Sequence, residues 1–330
     1  MIAPPPLLTR RGVLSFLAIA TVTPAAGQDL PLIAWLSIYP LEQVDRYLQA
    51  FRSGLAAQGF IDGRNVRILA RSTDGDRGER LARLVAEIVA MKPAVIATIA
   101  TQGGAIYGVR ELTSIPVVYG FSGDPITAGL TSTLARPGRN LTGVTFMAAE
   151  LNAKRLELVR EIAPTVGRVV LLGDPMHPGY QLEVLTSERT AQALGMHLEW
   201  VPTRSVAEVE QLLAAIDPAA PDALIFLPDS VMLESRKQVV DFALRHRIPT
   251  LLGWTEFAQA GGLLSYGPNL AESVQRVGYL TSRILQGAKP SDLPIERPEN
   301  FELAINLKTA RSIQLDVPTA LLARAAEVIE

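Results

Sequence analysis

From Leu32 onward, compact apolar runs alternate with stretches in which apolar residues recur at helical spacing. Leu32 to Ser37 is apolar throughout apart from its last residue, the pattern of a strand buried on both faces. Leu41 to Gly59 then places Val44, Tyr47, Leu48, Phe51 and Leu55 on one helical face, with Gly59 suited to the position just past a helix end. Asn65 to Ala70 reads as a second strand. Arg77 to Met91 reads as a second helix, with Leu81, Leu84, Val85, Ile88 and Val89 on one face. Ala94 to Ala100 and Ile115 to Tyr119 read as further strands. A β-α-β-α rhythm of this kind predicts a parallel, doubly wound sheet.

The rhythm then restarts. Strands are predicted at Arg168 to Gly173, His197 to Pro202, Ala223 to Leu227 and Thr250 to Leu252. Helices are predicted between and after them, at Gln181 to Leu194, Val206 to Ile216 and Leu233 to Arg245. Leu141 to Phe146 and a helix from Ala149 to Ile162 lie between the two series. Leu263 to Tyr266 leads into a long helix, Leu270 to Gly287. A Pro-rich linker, Pro290 to Pro298, precedes a last strand at Phe301 to Asn306. Two such series predict an α/β fold of two doubly wound parallel-sheet lobes, with the linker able to carry the chain between them.

The first twenty-seven residues follow a different pattern. Arg10 and Arg11 precede an uncharged run, Gly12 to Thr23, and then Pro24-Ala25-Ala26-Gly27. A charged start, an apolar run of about a dozen residues and a small-x-small end form an export signal. The run is too short to span hydrocarbon, which needs ~20 residues. Cleavage is expected after Gly27. Thr9-Arg10-Arg11-Gly12-Val13-Leu14 is similar to a twin-arginine signal, although Val13 stands where an aromatic is commoner, so either the Tat or the Sec route remains open. The chain contains no Cys. No lipid anchor at a cysteine and no disulfide is then expected, and the mature protein should be free and soluble.

Composition narrows the functional classes. The chain has 330 residues, 48% hydrophobic and 19% charged, with a net charge of −2. There is no basic excess to neutralise a phosphate backbone, which argues against nucleic acid as a partner. His177, His197 and His246 are well separated and there is no Cys, so no metal site is expected, and no cofactor.

Ligands of doubly wound sheets sit at the carboxyl ends of the strands. The segments there are Ser37-Ile38-Tyr39, Ala100 to Gly104, Gly120 to Pro125, Gly173 to Tyr180, Pro228-Asp229-Ser230 and Gly253-Trp254. Most of these residues are small, hydroxylated or acidic. Several segments precede helices, where backbone N–H groups could grip a small anion or carboxylate.

These and other segments resemble the periplasmic substrate-binding proteins of ABC transporters, in the branch that includes tryptophan- and tyrosine-binding components. The resemblance covers essentially the whole chain. It rests on Gln58 to Val66, Gly123-Asp124-Pro125 with Gly129-Leu130, and Ala135 to Val144. Glu150 to Leu158, Ala260 to Pro268 and Phe301 to Ala310 complete it. It implies a type I periplasmic-binding fold, two lobes closing on a ligand about a three-segment hinge. The crossings are expected near Val144 to Phe146, Ser265 to Pro268 and Pro290 to Pro298. Lobe one would hold 28–145 and 266–290, and lobe two 146–265 and 291–330. Small-molecule binding by a monomer that feeds an inner-membrane ABC permease is the implied function, with an aromatic amino acid or related aromatic carboxylate as ligand.

The candidate ligand contacts each have a structural alternative. Thr101 and Gln102 open a helix, where Thr101 could simply cap it. Ser122 and Asp124 stand in a turn that Asp before Pro favours by itself. Ser37 and Tyr39 follow the first strand, and Tyr39 offers an apolar wall with a polar tip. Asp229, with Ser230 beside it, is expected to pair with a ligand ammonium, as an acidic residue does in amino-acid-binding members of the family. The alternative is a helix N-cap. His177 and Tyr180 could stack on an aromatic ligand or line a solvated loop. Many relatives are Asn-rich or Ser-rich there, so this chain departs from the family pattern. Trp254 would floor the pocket or belong to the core. Two other functions fit the pattern less fully. One is a receptor that presents its closed form to a membrane sensor. The other is an exported hydrolase, for which no Gly-x-Ser-x-Gly elbow and no His-Glu-x-x-His motif is found.

Overall fold

The structure is a computed structural model and describes residues 30–100, 109, 114–177, 179–215 and 222–330. The first half is a five-stranded parallel sheet in the order β2-β1-β3-β4-β5. Its strands are β1 (Leu32–Ser37), β2 (Arg67–Ser72), β3 (Val95–Ala100), β4 (Val117–Phe121) and β5 (Leu141–Thr145). Helices α1 (Leu41–Ala56) and α2 (Glu79–Ala90) connect the first three. β1, β4 and β5 are buried along their whole length, which is why β1 reads as a compact apolar run; β5 is buried as well although two of its five residues are Thr.

After β5 the chain crosses into α3 (Ala148–Ile162) and a second sheet of seven strands. Chain order there is β6 (Arg168–Gly173), α4 (Tyr180–Ala193), β7 (His197–Pro202), α5 (Val206–Ala215), β8 (Ala223–Phe226), α6 (Ser230–Glu234) and α7 (Arg236–His246). Then come β9 (Thr250–Leu252), α8 (Thr255–Gln259) and β10 (Leu264–Pro268). Helix α9 (Leu270–Leu285) returns to the first lobe. The chain finally re-enters the second sheet as β11 (Phe301–Asn306), followed by α10 (Leu307–Ser312), α11 (Thr319–Leu322) and β12 (Glu327–Ile329). The sheet order is β12-β11-β10-β9-β8-β6-β7, and only the β10–β11 pair is antiparallel.

Several expectations shift. β2 begins at Arg67 because Asn65 is spent in the preceding turn, where its amide donates to Gly59 O at 2.8 Å and its side-chain oxygen accepts from Ile61 N at 2.7 Å. The helix expected at Leu233 to Arg245 is two helices, α6 and α7, broken at Ser235. The lobe boundary at 266 falls inside β10, a strand of the second sheet, so this crossing lies at 268–270. The Pro-rich segment 291–298, assigned to lobe two, instead runs along β5. Glu296 N donates to Gly143 O and Thr145 N to Glu296 O, both at 2.9 Å, and Leu293 and Ile295 are buried. An extended Pro-containing segment suits such an edge position, and the third crossing moves to 298–301.

The return of α9 depends on two glycines. A Cβ at Gly54 would lie 2.1 Å from Gln275 O, and one at Gly278 would lie 2.3 Å from Phe51 O. Only bare backbone lets α1 and α9 approach so closely. Apolar clusters cover both faces of each sheet, and one of them continues across the seam, joining Trp35 and Phe51 of lobe one to Phe226 and Trp254 of lobe two. Among the described residues no helix is long and apolar enough to cross a membrane.

Candidate functional site

The carboxyl ends of β1, β3 and β9 meet a cavity of about 620 Å³ between the lobes. From lobe one it is lined by Trp35, Ser37, Tyr39, Ile99 and the first turns of α1, including Arg46 and Tyr47. From lobe two come Leu233, Glu234, Trp254 and Glu256, and Leu270 closes it from the start of α9. Trp35, Tyr39 and Trp254 are each less than a tenth exposed, so their rings are set by packing before any ligand meets them. The turn after β1 is fixed by hydroxyls. Ser37 Oγ donates to Tyr39 O and accepts from Tyr39 N, both at 3.0 Å, and Ser72 Oγ donates to Tyr39 O at 2.6 Å. Rigid aromatic walls suit a flat ligand body, and the charged side chains on the same lining, among them Glu42, Asp45, Glu234 and Arg236, can meet its polar groups.

A second cluster lies in the same seam but is dry. Ser122, just past β4, brings its Oγ to 2.5 Å from His177 Nε2 in the turn after β6. His177 Nδ1 faces Glu183 Oε1 on α4 at 3.3 Å. Burial alone would lower the imidazole pKa, but the carboxylates of Glu183, Asp229 and Asp174 outweigh it and hold it above the ordinary value. Glu183 also accepts from Asn152 Nδ2 at 3.4 Å, and Asn152 Oδ1 accepts from Arg155 Nη1 at 2.5 Å. Arg155 is 1% exposed, and burial lowers its pKa to about 10. Its Nε donates to Tyr266 O on β10 at 2.9 Å, which ties the cluster to a crossing strand.

Ser122, His177 and Glu183 have the connectivity of a hydrolytic triad. All three are completely buried, and none of them lines the cavity. A substrate would have no approach to the Ser122 hydroxyl, so the triplet serves as a contact between the lobes. The separation of the histidines along the chain gave no hint of this arrangement, which needs two lobes to assemble.

The sequence-derived candidates divide accordingly. Ser37, Tyr39 and Trp254 line the cavity. Ser122 and His177 join the dry cluster. Asp124 accepts from Ile126 N at 2.7 Å and Thr127 N at 2.8 Å, the work of a turn-forming carboxylate. Tyr180 does not reach the cavity; its ring stacks on Trp200 of β7 at 6.2 Å. Asp229 is fully buried and does not line the cavity either. One carboxylate oxygen accepts from Met232 N at 2.9 Å and caps α6, and the other accepts from Asp174 N at 2.7 Å. Burial pushes its pKa up to about 7 against those two bonds. Ser230 opens α6. Thr101 and Gln102 lie outside the described residues.

Sequence reasoning missed Trp35, Arg46, Tyr47 and Glu256. Tyr47 was assigned only to the buried face of its helix, where a phenol still needs a partner for its hydroxyl. That partner is Glu256 Oε1 of lobe two, at 2.9 Å.

Comparisons with known proteins agree with this architecture. A curated tyrosine-binding protein from Clostridioides difficile (strain R20291) is 22% identical over 274 residues, 82% of this chain and 77% of that protein. The solved structure of an ABC domain in complex with L-Trp from Streptococcus pneumonia matches with a TM-score of 0.84 at 24% identity, over 91% of this chain and 100% of the other. A ligand-free, open substrate-binding protein with adhesive properties from Clostridium difficile matches over 91% of this chain and 99% of the other, with a TM-score of 0.67 at 21% identity. The two lobes have the type I periplasmic-binding fold. The family model described as ABC transporter substrate binding protein matches residues 37–329, and the chain belongs to that family.

Proposed function

We propose that this chain is the periplasmic receptor of an ABC importer and closes its lobes over an aromatic amino acid or a related aromatic carboxylate. The observation that carries this reading is the interlobe cavity of about 620 Å³ walled by Trp35, Tyr39 and Trp254. Its size is within the range of small-ligand sites, and its flat walls favour a planar ligand body. The tyrosine-binding relative and the L-Trp complex support the same ligand class. Arg10-Arg11 with the uncharged run that follows supports export, and the lack of cysteine supports a free rather than lipid-anchored receptor. The inner-membrane permease would read the closed form.

A thermal-shift screen of the mature chain tests the ligand class. L-Trp, L-Tyr, L-Phe and indole carboxylates should raise the melting temperature by mass action, whereas purines and sugars should not. A shift with purines or sugars and none with aromatic acids would overturn the proposal.

A further inference from the structure

We propose that Arg46, Tyr47 and Glu256 form a latch that holds the two lobes closed beside the cavity. This rests on reading the cavity as the ligand site, and it adds the residues that position that site. Arg46 and Tyr47 belong to α1 of lobe one, and Glu256 belongs to the first turn of α8 in lobe two. Arg46 Nη2 donates to the Tyr47 hydroxyl at 2.7 Å and lies 2.9 Å from Glu256 Oε1. The Tyr47 hydroxyl donates to the same carboxylate oxygen at 2.9 Å. The three groups therefore close a ring across the seam, and all three line the cavity.

The ring combines a held part and an adaptable part. Tyr47 is 5% exposed, so its ring is fixed by lobe one and its hydroxyl stands in one place. Burial first, and then the charge of Glu256, raise the phenol pKa, so the hydroxyl keeps the proton it donates. Glu256 is 18% exposed at its side chain, and Arg46 is 52% exposed and comes over the Tyr47 ring at 4.6 Å. Lobe opening would break both bonds to Glu256. The bond between Arg46 and Tyr47, within α1, would survive. An isolated surface ion pair contributes little, but a carboxylate accepting from a buried, pre-aimed hydroxyl and an arginine is a charge-assisted arrangement of greater strength.

Because the chain has no cysteine, spin labels can be placed cleanly at Arg83→Cys on α2 and Glu188→Cys on α4. Distances between them, measured by pulsed dipolar spectroscopy on the ligand-free chain, report closure without reference to any ligand. The parent should show a closed component. Tyr47→Phe and Glu256→Gln should each lower the closed-to-open ratio by roughly tenfold, the scale of one hydrogen bond to a charged group. The double variant should lose little more than either single one. Circular dichroism melts identify a variant that fails to fold, and Glu256→Gln, on a partly exposed side chain, then carries the test. Variants that keep the parent ratio, or a parent with only the open distance, would overturn the proposal. Repeating the measurement with L-Trp tests the ligand reading separately. If L-Trp changes no distance, that reading fails while the ligand-free comparison still decides the latch.

Discussion

Replacing Asp229 by Asn should change the sign of its effect on stability as pH rises. In the native chain the carboxylate accepts from Met232 N and Asp174 N while fully buried. Asparagine keeps one acceptor oxygen for Met232 N but sets an N–H against Asp174 N. That loss leaves a buried N–H without its acceptor and should cost about 1–3 kcal/mol. Against it stands the raised pKa, from 3.8 to about 7. Between those values the unfolded chain gains by ionising and the native chain does not, so native stability falls as pH rises from about 4 to about 7. At about 1.4 kcal/mol per pH unit the fall amounts to roughly 4 kcal/mol, and Asp229→Asn escapes it. The variant should therefore have the lower urea midpoint at pH 4 and an equal or higher one at pH 7. Affinity for an aromatic amino acid, measured by calorimetry, should change less than threefold, because the side chain does not line the cavity. A constant stability difference across this pH range, together with a tenfold or greater loss of affinity, would refute the reasoning and restore Asp229 as a ligand anchor.

Trp254→Ala should weaken aromatic ligand binding by at least tenfold in calorimetry, since it removes a cavity wall; Tyr180→Ala should leave affinity unchanged and lower only the melting temperature, because its ring stacks on Trp200. Equal affinity losses for the two would contradict the placement of the cavity. Gly267→Ala would place a Cβ 1.9 Å from Gly253 O. Gly267 lies in β10 and Gly253 directly follows β9, so backbone must shift and the urea midpoint should fall by the equivalent of about 1–3 kcal/mol or more, and an unchanged midpoint would show that the chain after β9 can move away freely.

Several strands were legible to the residue. β1, β6, β7, β9 and β11 begin and end where the sequence pattern places them, although β7 is not buried, whereas β4, buried along its whole length, starts two residues later than expected. Boundaries failed where a polar side chain does local work that propensity does not encode, as Asn65 does before β2. The break at Ser235 and the extra cap at Asp229 split one apparent helix in two for the same reason. After Asn306 the segments are short, and α10, α11 and β12 carry too few residues to display a period. At the site, the strand-end rule found Ser37, Tyr39 and Trp254, because the ends of buried strands must open toward the cleft. It also collected Tyr180, since the rule places a residue at an end and says nothing of which way a helix turns its side chain. The latch was beyond reach: Tyr47 and Glu256 are 209 residues apart, and each alone reads as an ordinary helix residue.

The interlobe seam divides its labour between charge and apolar surface. Its buried polar cluster, apart from the charged residues that line the cavity, is committed to protein partners: Arg77 pairs with Asp174 at 3.0 Å, His177 with Ser122 and Glu183, and Arg155 with Asn152 and Tyr266. Those groups can specify how the lobes meet, because a half-made set would leave charges buried and unpaired. They have little left with which to read a ligand. The aromatic side is different, since Trp35, Tyr39 and Trp254 are already packed and give the cavity a fixed shape. Lobe alignment and ligand recognition are then separable functions of one cleft. Substitutions in the dry cluster should alter closure for every ligand alike, whereas substitutions in the aromatic walls should alter the order of preference among ligands.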